Sequence, residues 1–464
     1  MAYRTLNPFT EQTVKDYPEH TDAEVEAALA RADALFHSDW SQGDIAPRLA
    51  VLKRLSALLT DKKDELARAM AEEMGKPLAQ GQGEIDLCAG IAAYYADKAA
   101  EFLKPQPYES ELGEAWTEFH PIGVLLAVEP WNFPIYQLIR VVAPAIAVGN
   151  PVLFKHAGIV PHCAELFEDL CREAGAPDGA VISLRISSDV VHDLIGDDRI
   201  QGVALTGSEA AGSKVASRAS EMLKKSTLEL GGSDVFVVLD DADMKKAITA
   251  AVEGRLSNAG QVCTGSKRFI VQASVAEAFI EGFVAGMKGA VMGDPLDPKT
   301  ILGPLSSEEA LKALTKQVED ALSHGAEAAT GGKPADREGF FYEPTVLTNI
   351  SKDNPAYYQE FFGPVAQVFV VENDDAVVIQ ANDSHFGLGG SIFSGDTARA
   401  RKLASRIETG MVFINTTTTS MPELPFGGVK RSGFGRELGD VGIKEFVNRK
   451  LVVISDGRST LTVG

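Results

Sequence analysis

Apolar residues in the first 75 positions recur with the period of an α-helix. Thr21 and Glu24 have the spacing of a helix capping box, and Gly75 with Pro77 forms a typical helix end. One apolar face follows the box, at Val25, Ala28, Leu29, Ala32 and Leu35. A second apolar stripe consists of Leu49, Leu52, Leu55 and Leu59. The pattern therefore predicts that the chain begins with a run of helices.

The pattern changes after about residue 120, where apolar runs of strand length alternate with amphipathic helical segments. The predicted helices include His162–Ala174 and Ala210–Met222. The predicted strands are Gly123–Val128, Pro151–Lys155, Gly179–Leu184, Gly202–Thr206 and Thr227–Leu230. Continuous apolar strands separated by helices indicate a parallel sheet that is covered on both faces.

A second alternating set begins at Val235–Leu239 and continues to about residue 415. Its apolar segments include Arg268–Val271, Ser274–Met287, Val365–Val371 and Met411–Ile414. We therefore predict two α/β domains. Since Glu229 ends the first set and Cys263 lies near the start of the second, a cleft between the domains is the expected place for a site.

Two segments fit neither domain. Residues 107–120 are polar and read as extended chain, whereas residues 450–454 form an apolar strand-like run near the end of the sequence. An apolar terminal strand needs a partner, because an open strand edge promotes aggregation. We expect the tail to pair with the first segment or with a second subunit; a simple edge strand within one domain is the alternative.

Composition narrows the possible partners. Among the 464 residues, 45% are hydrophobic and 23% are charged, which is typical of a globular protein with two or three domains. The net charge of -21 disfavours nucleic acid and anionic membranes. We expect no signal peptide and no membrane span. The four scattered cysteines indicate neither a disulfide framework nor a metal site, so a cytoplasmic location is expected.

Cys263 and Glu229 are the candidates for covalent chemistry. Cys263 lies in a Gly-flanked loop, and Glu229 ends an apolar strand. A thiol nucleophile and a carboxylate base together suit acyl transfer through a thioester. Either residue alone would have an ordinary explanation, because most cysteines fill cores and most glutamates are solvated.

Two further turns carry polar groups that suit this chemistry. Asn132 lies between two prolines after a predicted strand, where its amide could stabilise an oxyanion, although turn formation alone would also explain it. Gly207 and Ser208 link a strand to a helix and could cradle a phosphate at the helix N-terminus. The GxGxxG dinucleotide motif is not present at this turn.

Seven motifs, taken in order, resemble those of the aldehyde dehydrogenase superfamily, and the resemblance covers essentially the whole chain. They are Pro130–Pro134, Phe154–Lys155, Thr206–Ser208, Glu229–Gly232, Gly260–Cys263, Glu360–Pro364 and Pro425–Gly428. The implied fold is α/β, with two Rossmann-like parallel-sheet domains and a small β oligomerisation element. The implied division is residues 1–106 and 123–230 for cofactor binding, 231–420 for catalysis, 107–122 and 447–464 for oligomerisation, and 421–446 as a bridge. The resemblance also implies a homodimer or homotetramer.

The resemblance also implies roles for individual residues. Cys263 would attack an aldehyde, with the oxyanion held by the Asn132 amide and the backbone N–H of Cys263. Hydride transfer to a nicotinamide would leave a thioester, which Glu229 would hydrolyse by activating water. Lys155 would bind the adenosine ribose and Glu360 the nicotinamide ribose. The other expected cofactor contacts are Trp131, His156, Ala157, Gly158, Gly207, Ser208, Leu230 and Phe362.

Arg140 and Ser420 are the expected substrate contacts. Arg140 follows Asn132 by eight residues on a predicted helix, and Ser420 precedes Pro425 by five. Both positions resemble bacterial succinate-semialdehyde dehydrogenases, in which an arginine would bind the distal carboxylate of the substrate. The alternative is an Arg140 that pairs with a carboxylate between helices. Other ω-carboxy, aliphatic and aromatic aldehydes stay open as substrates.

Position 158 bears on the choice of cofactor. Strict NAD users of the family commonly carry Glu there, which repels the 2′-phosphate of NADP. Gly158 removes this repulsion, and Lys155 could attract the phosphate, so we expect use of both NADP and NAD with NADP favoured. No metal is expected. A cysteine-dependent hydrolase and a non-enzymatic paralogue are the rival interpretations.

Overall fold

The computed structural model describes residues 3–455, and it begins with a β-hairpin. Strand β1 (Tyr3–Asn7) pairs antiparallel with β2 (Gln12–Tyr17). The prediction of helices from the first residues was therefore wrong over this stretch. Only short, mostly polar runs mark the two strands, so the helical periodicity that follows them dominated the pattern.

Helices then cover residues 22–74, as predicted, and a further helix at 78–102, beyond the predicted end at Gly75 and Pro77, was not predicted. The capping box at Thr21 is present, because the side chains of Thr21 and Glu24 bond to each other's backbone N–H groups. Gly75 ends a helix in the left-handed conformation at φ 77°. The helices are α1 (Asp22–Phe36), α2 (Asp39–Gln42), α3 (Ala46–Asp61), α4 (Lys63–Met74) and α5 (Leu78–Phe102).

The first α/β unit follows two strands, β3 (Gln106–Tyr108) and β4 (Gly113–Pro121). It contains β5 (Val124–Glu129), α6 (Pro134–Val148), β6 (Val152–His156), α7 (Pro161–Glu173), β7 (Val181–Ser183), α8 (Ser188–Gly196), β8 (Ile200–Thr206), α9 (Glu209–Glu221) and β9 (Lys225–Glu229). Strands β5 to β9 pair with one another in parallel. Successive residues of β5 enter different apolar clusters on the two faces of the sheet, so the sheet is covered on both sides as predicted.

The second α/β unit repeats this plan. It contains β10 (Asp234–Val238), α10 (Met244–Leu256), β11 (Ser266–Gln272), α11 (Ala273–Lys288), α12 (Glu308–Ser323), β12 (Glu327–Thr330), β13 (Thr345–Thr348), β14 (Val365–Val371), α13 (Asp374–Asn382), β15 (Phe386–Gly387), β16 (Gly390–Phe393), α14 (Thr397–Ala404) and β17 (Phe413–Ile414). Its sheet has seven strands in the order β12-β13-β14-β11-β10-β16-β17. All its pairs are parallel except β12 with β13.

The last part of the described chain contributes to both units. It contains β18 (Val429–Lys430), β19 (Gly433–Phe434), α15 (Gly439–Gly442) and β20 (Val447–Ser455). Strand β19 adds to the first sheet, whose order is β19-β9-β8-β5-β6-β7, and β18 pairs with β15. The assignment of residues 421–446 as a bridge, like the other domain limits, stays a prediction.

The predicted pairing of the tail is confirmed. Strand β20 pairs antiparallel with β4 over nine residues, and β4 also pairs with β3, which gives a small three-stranded sheet. Part of the predicted 447–464 strand segment, residues 456–464, lies outside the described residues. Among residues 3–455, no helix is long and apolar enough to cross a membrane.

Candidate active site

Cys263 follows a tight turn with a left-handed backbone. Asn258, Ala259 and Gly260 have φ values of 50°, 53° and 75°. A left-handed backbone costs a non-glycine residue about 1–3 kcal/mol, so the surrounding structure must hold this turn in place. At Gly260 a side chain would collide with the carbonyl oxygen of Gly363. The turn leaves Cys263 partly exposed as a free thiol, whereas the other three cysteines are buried.

Asn132 lies across from this turn and is held by three hydrogen bonds. Its Nδ2 donates to the carbonyl of Gln261 at 3.1 Å, and its own carbonyl accepts from Asn258 Nδ2 at 2.8 Å. Its Oδ1 accepts from Gln137 Nε2 at 3.2 Å. Because Oδ1 is engaged from behind, the amide presents N–H groups toward the Cys263 loop, as an oxyanion donor requires.

Glu229 ends β9 and is only 3% exposed. Burial, together with the nearby Glu437 carboxylate, raises the pKa of the Glu229 carboxyl well above its ordinary value. Gly427 makes room for it, since a Cβ at that position would lie 2.6 Å from Glu229 Oε1. A buried carboxyl with a raised pKa holds its proton more tightly and is a stronger base once it is ionised.

One cavity of about 250 Å³ gathers many of the predicted residues. Trp131 and Phe362 meet edge to face on its wall, with ring centroids 5.8 Å apart. The predicted residues that line this cavity are Trp131, Asn132, Gly207, Ser208, Leu230, Cys263, Glu360 and Phe362. The structure therefore brings the predicted nucleophile, the predicted oxyanion donor and most expected cofactor contacts together.

A second cavity, of about 430 Å³, is lined mainly by residues of α8 and α9. Lys155 is its one predicted residue, and three further basic residues in its lining were not predicted from the sequence: His192, Lys214 and Arg218. The two cavities flank the start of α9, whose N-cap is Ser208. A long ligand could therefore lie across this helix N-terminus with one end in each cavity.

Three expected cofactor contacts are placed differently. The ring of His156 is buried, with Nδ1 3.1 Å from the carbonyl of Glu129 and Nε2 2.8 Å from that of Pro134. It ties β5 to α6 and does not face a ligand, and burial lowers its pKa to about 4. Ala157 lines neither of the two cavities described above. Gly158 lines a separate cavity and accepts a hydrogen bond from the backbone N–H of Arg4 at 2.8 Å.

The expectation that Arg140 presents its guanidinium to the pocket is not met. Arg140 is 2% exposed, and its Nε pairs with Glu437 at 2.9 Å. Its Nη2 donates to Gln137 Oε1 and to Thr206 Oγ1. The contact between Arg140 and a protein carboxylate is the alternative that the sequence left open. Burial of Glu437 next to Glu229 explains the pairing, because two buried carboxylates need a cation nearby.

Ser420 lies close to this arginine without touching it directly. The hydroxyl of Tyr136 donates to Ser420 Oγ at 2.6 Å. The guanidinium carbon of Arg140 lies 4.6 Å from the centroid of the Tyr136 ring. Tyr136 therefore connects the two expected substrate contacts, and this role was not predicted from the sequence.

Lys267 and Gln137 are two further residues of the site that were not predicted from the sequence. Lys267 reaches the backbone of the Cys263 loop from behind, and Gln137 lies between Arg140 and Asn132. The position of Gln137 could have been recognised from the sequence, because it lies on α6 between the two predicted site residues Asn132 and Arg140. Lys267 lies on a buried strand, where a charged residue is rare unless it is paired. Among the described residues, no cluster of three or more His, Cys, Asp or Glu side chains could hold a metal ion.

Comparison with known proteins agrees with this geometry. The model of the aldehyde dehydrogenase family matches residues 1–452. The chain is 46% identical over 450 residues to the succinate-semialdehyde dehydrogenase [NADP(+)] of Deinococcus radiodurans, covering 97% of this chain and 94% of that one. It is 45% identical to a probable enzyme of the same name from Synechocystis, covering 98% and 100%.

Solved structures give the same result. The succinic semialdehyde dehydrogenase of Streptococcus pyogenes, solved in complex with NADP⁺, is 47% identical and superimposes with a TM-score of 0.97, covering 98% of this chain and 100% of that one. The chain belongs to the aldehyde dehydrogenase family. The predicted fold class and the family are thus both confirmed.

Proposed function

We propose that this protein oxidises succinate semialdehyde to succinate with NADP as the favoured cofactor. The observation that carries the proposal is the joint placement of Cys263 and Asn132 in one cavity, next to a buried Glu229. Nucleophile, oxyanion donor and base are the groups that aldehyde oxidation through a thioester requires. The similar proteins named succinate-semialdehyde dehydrogenase [NADP(+)] support the choice of substrate and cofactor.

Cys263 would begin the reaction by attacking the aldehyde carbon. Burial raises the pKa of its thiol to about 11, while the Arg140 and Lys267 cations act in the opposite direction. The oxyanion of the resulting thiohemiacetal would be held by the Asn132 amide and the backbone N–H of Cys263. Loss of hydride from this carbon gives a thioester on Cys263.

Glu229 would complete the reaction by hydrolysis. Its carboxylate takes a proton from water, the hydroxide adds to the thioester carbon, and the Cys263 thiolate leaves with succinate released. The high pKa of Glu229 means that it can accept this proton once ionised. The water must approach from the pocket, because the carboxyl itself is buried.

The residues that line the two cavities fit a dinucleotide cofactor. The cavity at Cys263 offers the aromatic rings of Trp131 and Phe362 and the carboxylate of Glu360, and the second cavity offers Lys155. When bound, the nicotinamide supplies the hydride acceptor for this chemistry. Lys155, Lys214 and Arg218 outnumber the one carboxylate of the second cavity, Asp189, and this excess of positive charge supports binding of the 2′-phosphate of NADP.

The hydroxyl groups of Tyr136 and Ser420 would receive the distal carboxylate of the substrate. They already bond to each other at 2.6 Å, and the Arg140 charge lies 4.6 Å from the Tyr136 ring. A carboxylate at these hydroxyls would gain two hydrogen bonds and a nearby positive charge. In this proposal Arg140 contributes its charge while it keeps its pair with Glu437.

The test compares kcat/KM for succinate semialdehyde and butanal, each with saturating NADP⁺ and NAD⁺. The two aldehydes share a chain length, but only one carries a distal carboxylate. We expect a preference for the semialdehyde of about 100-fold, or roughly 2.7 kcal/mol. Ser420→Ala should reduce that preference while it leaves turnover of butanal nearly unchanged. Equal turnover of both aldehydes by the unmodified protein would contradict the proposed substrate and leave a broad-specificity aldehyde dehydrogenase.

We further propose that the protein works in the cytoplasm as a homodimer or homotetramer. All four cysteines are free thiols, which suits a reducing compartment. Strand β20 leaves three apolar side chains exposed, namely Leu451, Val453 and Ile454. Exposed apolar groups on a sheet edge support contact with a second subunit.

A further inference from the structure

Lys267, the second residue of β11, places a positive charge behind the Cys263 loop. Its Nζ donates to the carbonyl of Val262 at 2.7 Å and to that of Cys263 at 2.8 Å. It also forms an ion pair with Glu360 Oε1 at 3.0 Å. The side chain is 1% exposed. All three N–H groups of the ammonium therefore have an oxygen partner, which accounts for a lysine in a buried strand.

The bond to Val262 acts directly on the proposed oxyanion donor. The carbonyl of Val262 and the backbone N–H of Cys263 belong to one peptide group. A cation on the carbonyl oxygen polarises this group and makes its N–H a stronger hydrogen-bond donor. Lys267 can therefore stabilise the oxyanion on the far side of the peptide without touching the substrate.

The same charge bears on the thiol. No histidine adjoins Cys263 in the sequence, so its activation needs another source of positive charge. Burial raises the pKa of the Cys263 thiol, and the Glu229 and Glu360 carboxylates act in the same direction. The Arg140 and Lys267 cations lower it. An ammonium that is fixed in a buried site interacts with a thiolate more strongly than a solvated one would.

The third contact connects this lysine to the cofactor side of the cavity. Glu360 lines the cavity and also accepts from the backbone N–H of Gly232 at 3.2 Å. One ammonium thus spans the nucleophile loop and the carboxylate that would bind the nicotinamide ribose. A cation in this position can hold both parts in a fixed relation.

We propose that Lys267 is a positioning residue for Cys263: its ammonium orients the loop, polarises the Val262–Cys263 peptide group and favours the thiolate. The inference rests on the proposed function for the role of Cys263 as nucleophile. The evidence for the proposal is that the buried Lys267 ammonium contacts three oxygen atoms, those of the Val262 carbonyl, the Cys263 carbonyl and the Glu360 carboxylate.

The test measures how fast iodoacetamide alkylates Cys263 between pH 7 and pH 10, without cofactor. The other cysteines are buried, so the modified site can be confirmed by mass spectrometry and by its loss in Cys263→Ala. The variants are Lys267→Gln, which keeps a donor but loses the charge, and Lys267→Arg, which keeps the charge. Lys224→Gln is a matched control, because Lys224 Nζ also donates to two backbone carbonyls, those of Ile195 and Asp197.

We expect Lys267→Gln to slow alkylation at least tenfold below the titration midpoint and to move the profile to higher pH. A tenfold loss of thiolate corresponds to one unit of thiol pKa. Lys267→Arg should stay within about threefold of the unmodified protein, and Lys224→Gln should match it. Superimposable profiles for Lys267→Gln and the unmodified protein would overturn the proposal and leave Lys267 a structural role.

The remaining outcomes are also decisive. If Lys267→Gln does not fold, as judged by circular dichroism, Lys267→Arg provides the test. A folded Lys267→Arg whose profile moves tenfold would contradict a role for the charge. Alkylation does not require aldehyde oxidation. Failure of the unmodified protein to oxidise the semialdehyde would therefore refute the proposed substrate and leave the Lys267 result intact.

Discussion

At the scale of single residues, the orientation of Asn132 depends on a chain of hydrogen bonds that begins at Glu437. Glu437 pairs with Arg140, Arg140 donates to Gln137 Oε1, and Gln137 donates to Asn132 Oδ1. Each link fixes which end of the next amide is donor and which is acceptor. The sequence indicated Asn132 and Arg140 separately. It could not show that they are connected, because Glu437 lies almost 300 residues later in the chain.

These linked hydrogen bonds predict that Arg140→Met affects more than the choice of substrate. We expect kcat for butanal to fall at least tenfold, because Gln137 loses the donor that orients its amide. Glu437 would also lose its cation, at a cost of about 3–5 kcal/mol in the free energy of unfolding. The measurements are steady-state kinetics with butanal and unfolding in urea.

The double variant Arg140→Met with Glu437→Gln is the control for this experiment. It removes the unpaired buried carboxylate, so much of the lost stability should return while kcat stays low. A single variant that oxidises butanal normally and fails only with the semialdehyde would show that Arg140 anchors the substrate and does not position Asn132.

Glu229 gives the second prediction at this scale. Glu229→Gln should still form the thioester, since in this mechanism Glu229 acts only in hydrolysis, but that hydrolysis should slow by about 10²–10⁴-fold. Rapid mixing would then show one burst of NADPH followed by a slow steady rate. Loss of the burst together with the steady rate would place Glu229 in the first step.

The pH dependence of that steady rate follows from the raised pKa of Glu229. Below this pKa the carboxyl is protonated and cannot act as a base, so the hydrolysis rate of the unmodified protein should rise with pH. Glu229→Gln has no carboxyl to titrate, so this rise should flatten. An equally steep rise in the variant would assign the titration to another group.

At the scale of elements, helices and strands with a clear hydrophobic pattern were predicted from the sequence, whereas an element held by contacts with distant residues was not. The parallel strands, α1 with its capping box, and the β4–β20 pair were predicted, because apolar runs and terminal strands carry their own signal. The β1–β2 hairpin was missed. It is held by contacts with distant parts of the chain, such as the hydrogen bond from Thr5 Oγ1 to Glu73 Oε1 at 2.5 Å.

Glu73 connects this hairpin to α7 and should make stability depend on pH. Its carboxyl also accepts from the backbone N–H groups of His162 and Cys163, both at 2.9 Å. Burial raises its pKa to about 7. The folded state therefore holds the proton more tightly than the unfolded state does. The stabilisation is complete below the unfolded pKa of about 4.5 and declines as the pH rises to about 7.

Glu73→Gln removes this titration. We expect the stability advantage of the unmodified protein over the variant to be larger at pH 5 than at pH 8, by on the order of 3 kcal/mol. Urea unfolding at the two pH values measures this difference. An advantage of equal size at both would mean that Glu73 titrates normally in the folded protein.

At the scale of the whole molecule, the sequence predicted two parallel sheets but not how the last described residues join them. Strand β19 adds to the first sheet beside Glu229, and β18 pairs with β15. Two-residue strands carry almost no periodic signal. They nevertheless bring Gly427 next to Glu229 and Glu437 next to Arg140, so this segment completes the site.

Strand β20 supplies the prediction for assembly. Leu451 and Ile454 are 63% and 56% exposed, on a sheet that lies outside both α/β units. If this surface joins two subunits, Leu451→Glu would bury a charge against apolar groups, and the assembly should dissociate to a lower mass in light scattering. Ile379→Glu, at an equally exposed apolar residue of α13, should leave the mass unchanged. The same lower mass for both variants would point to general destabilisation. A Leu451→Glu protein of unaltered mass would place the subunit contact elsewhere, since a charge at 63% exposure is harmless on a free surface.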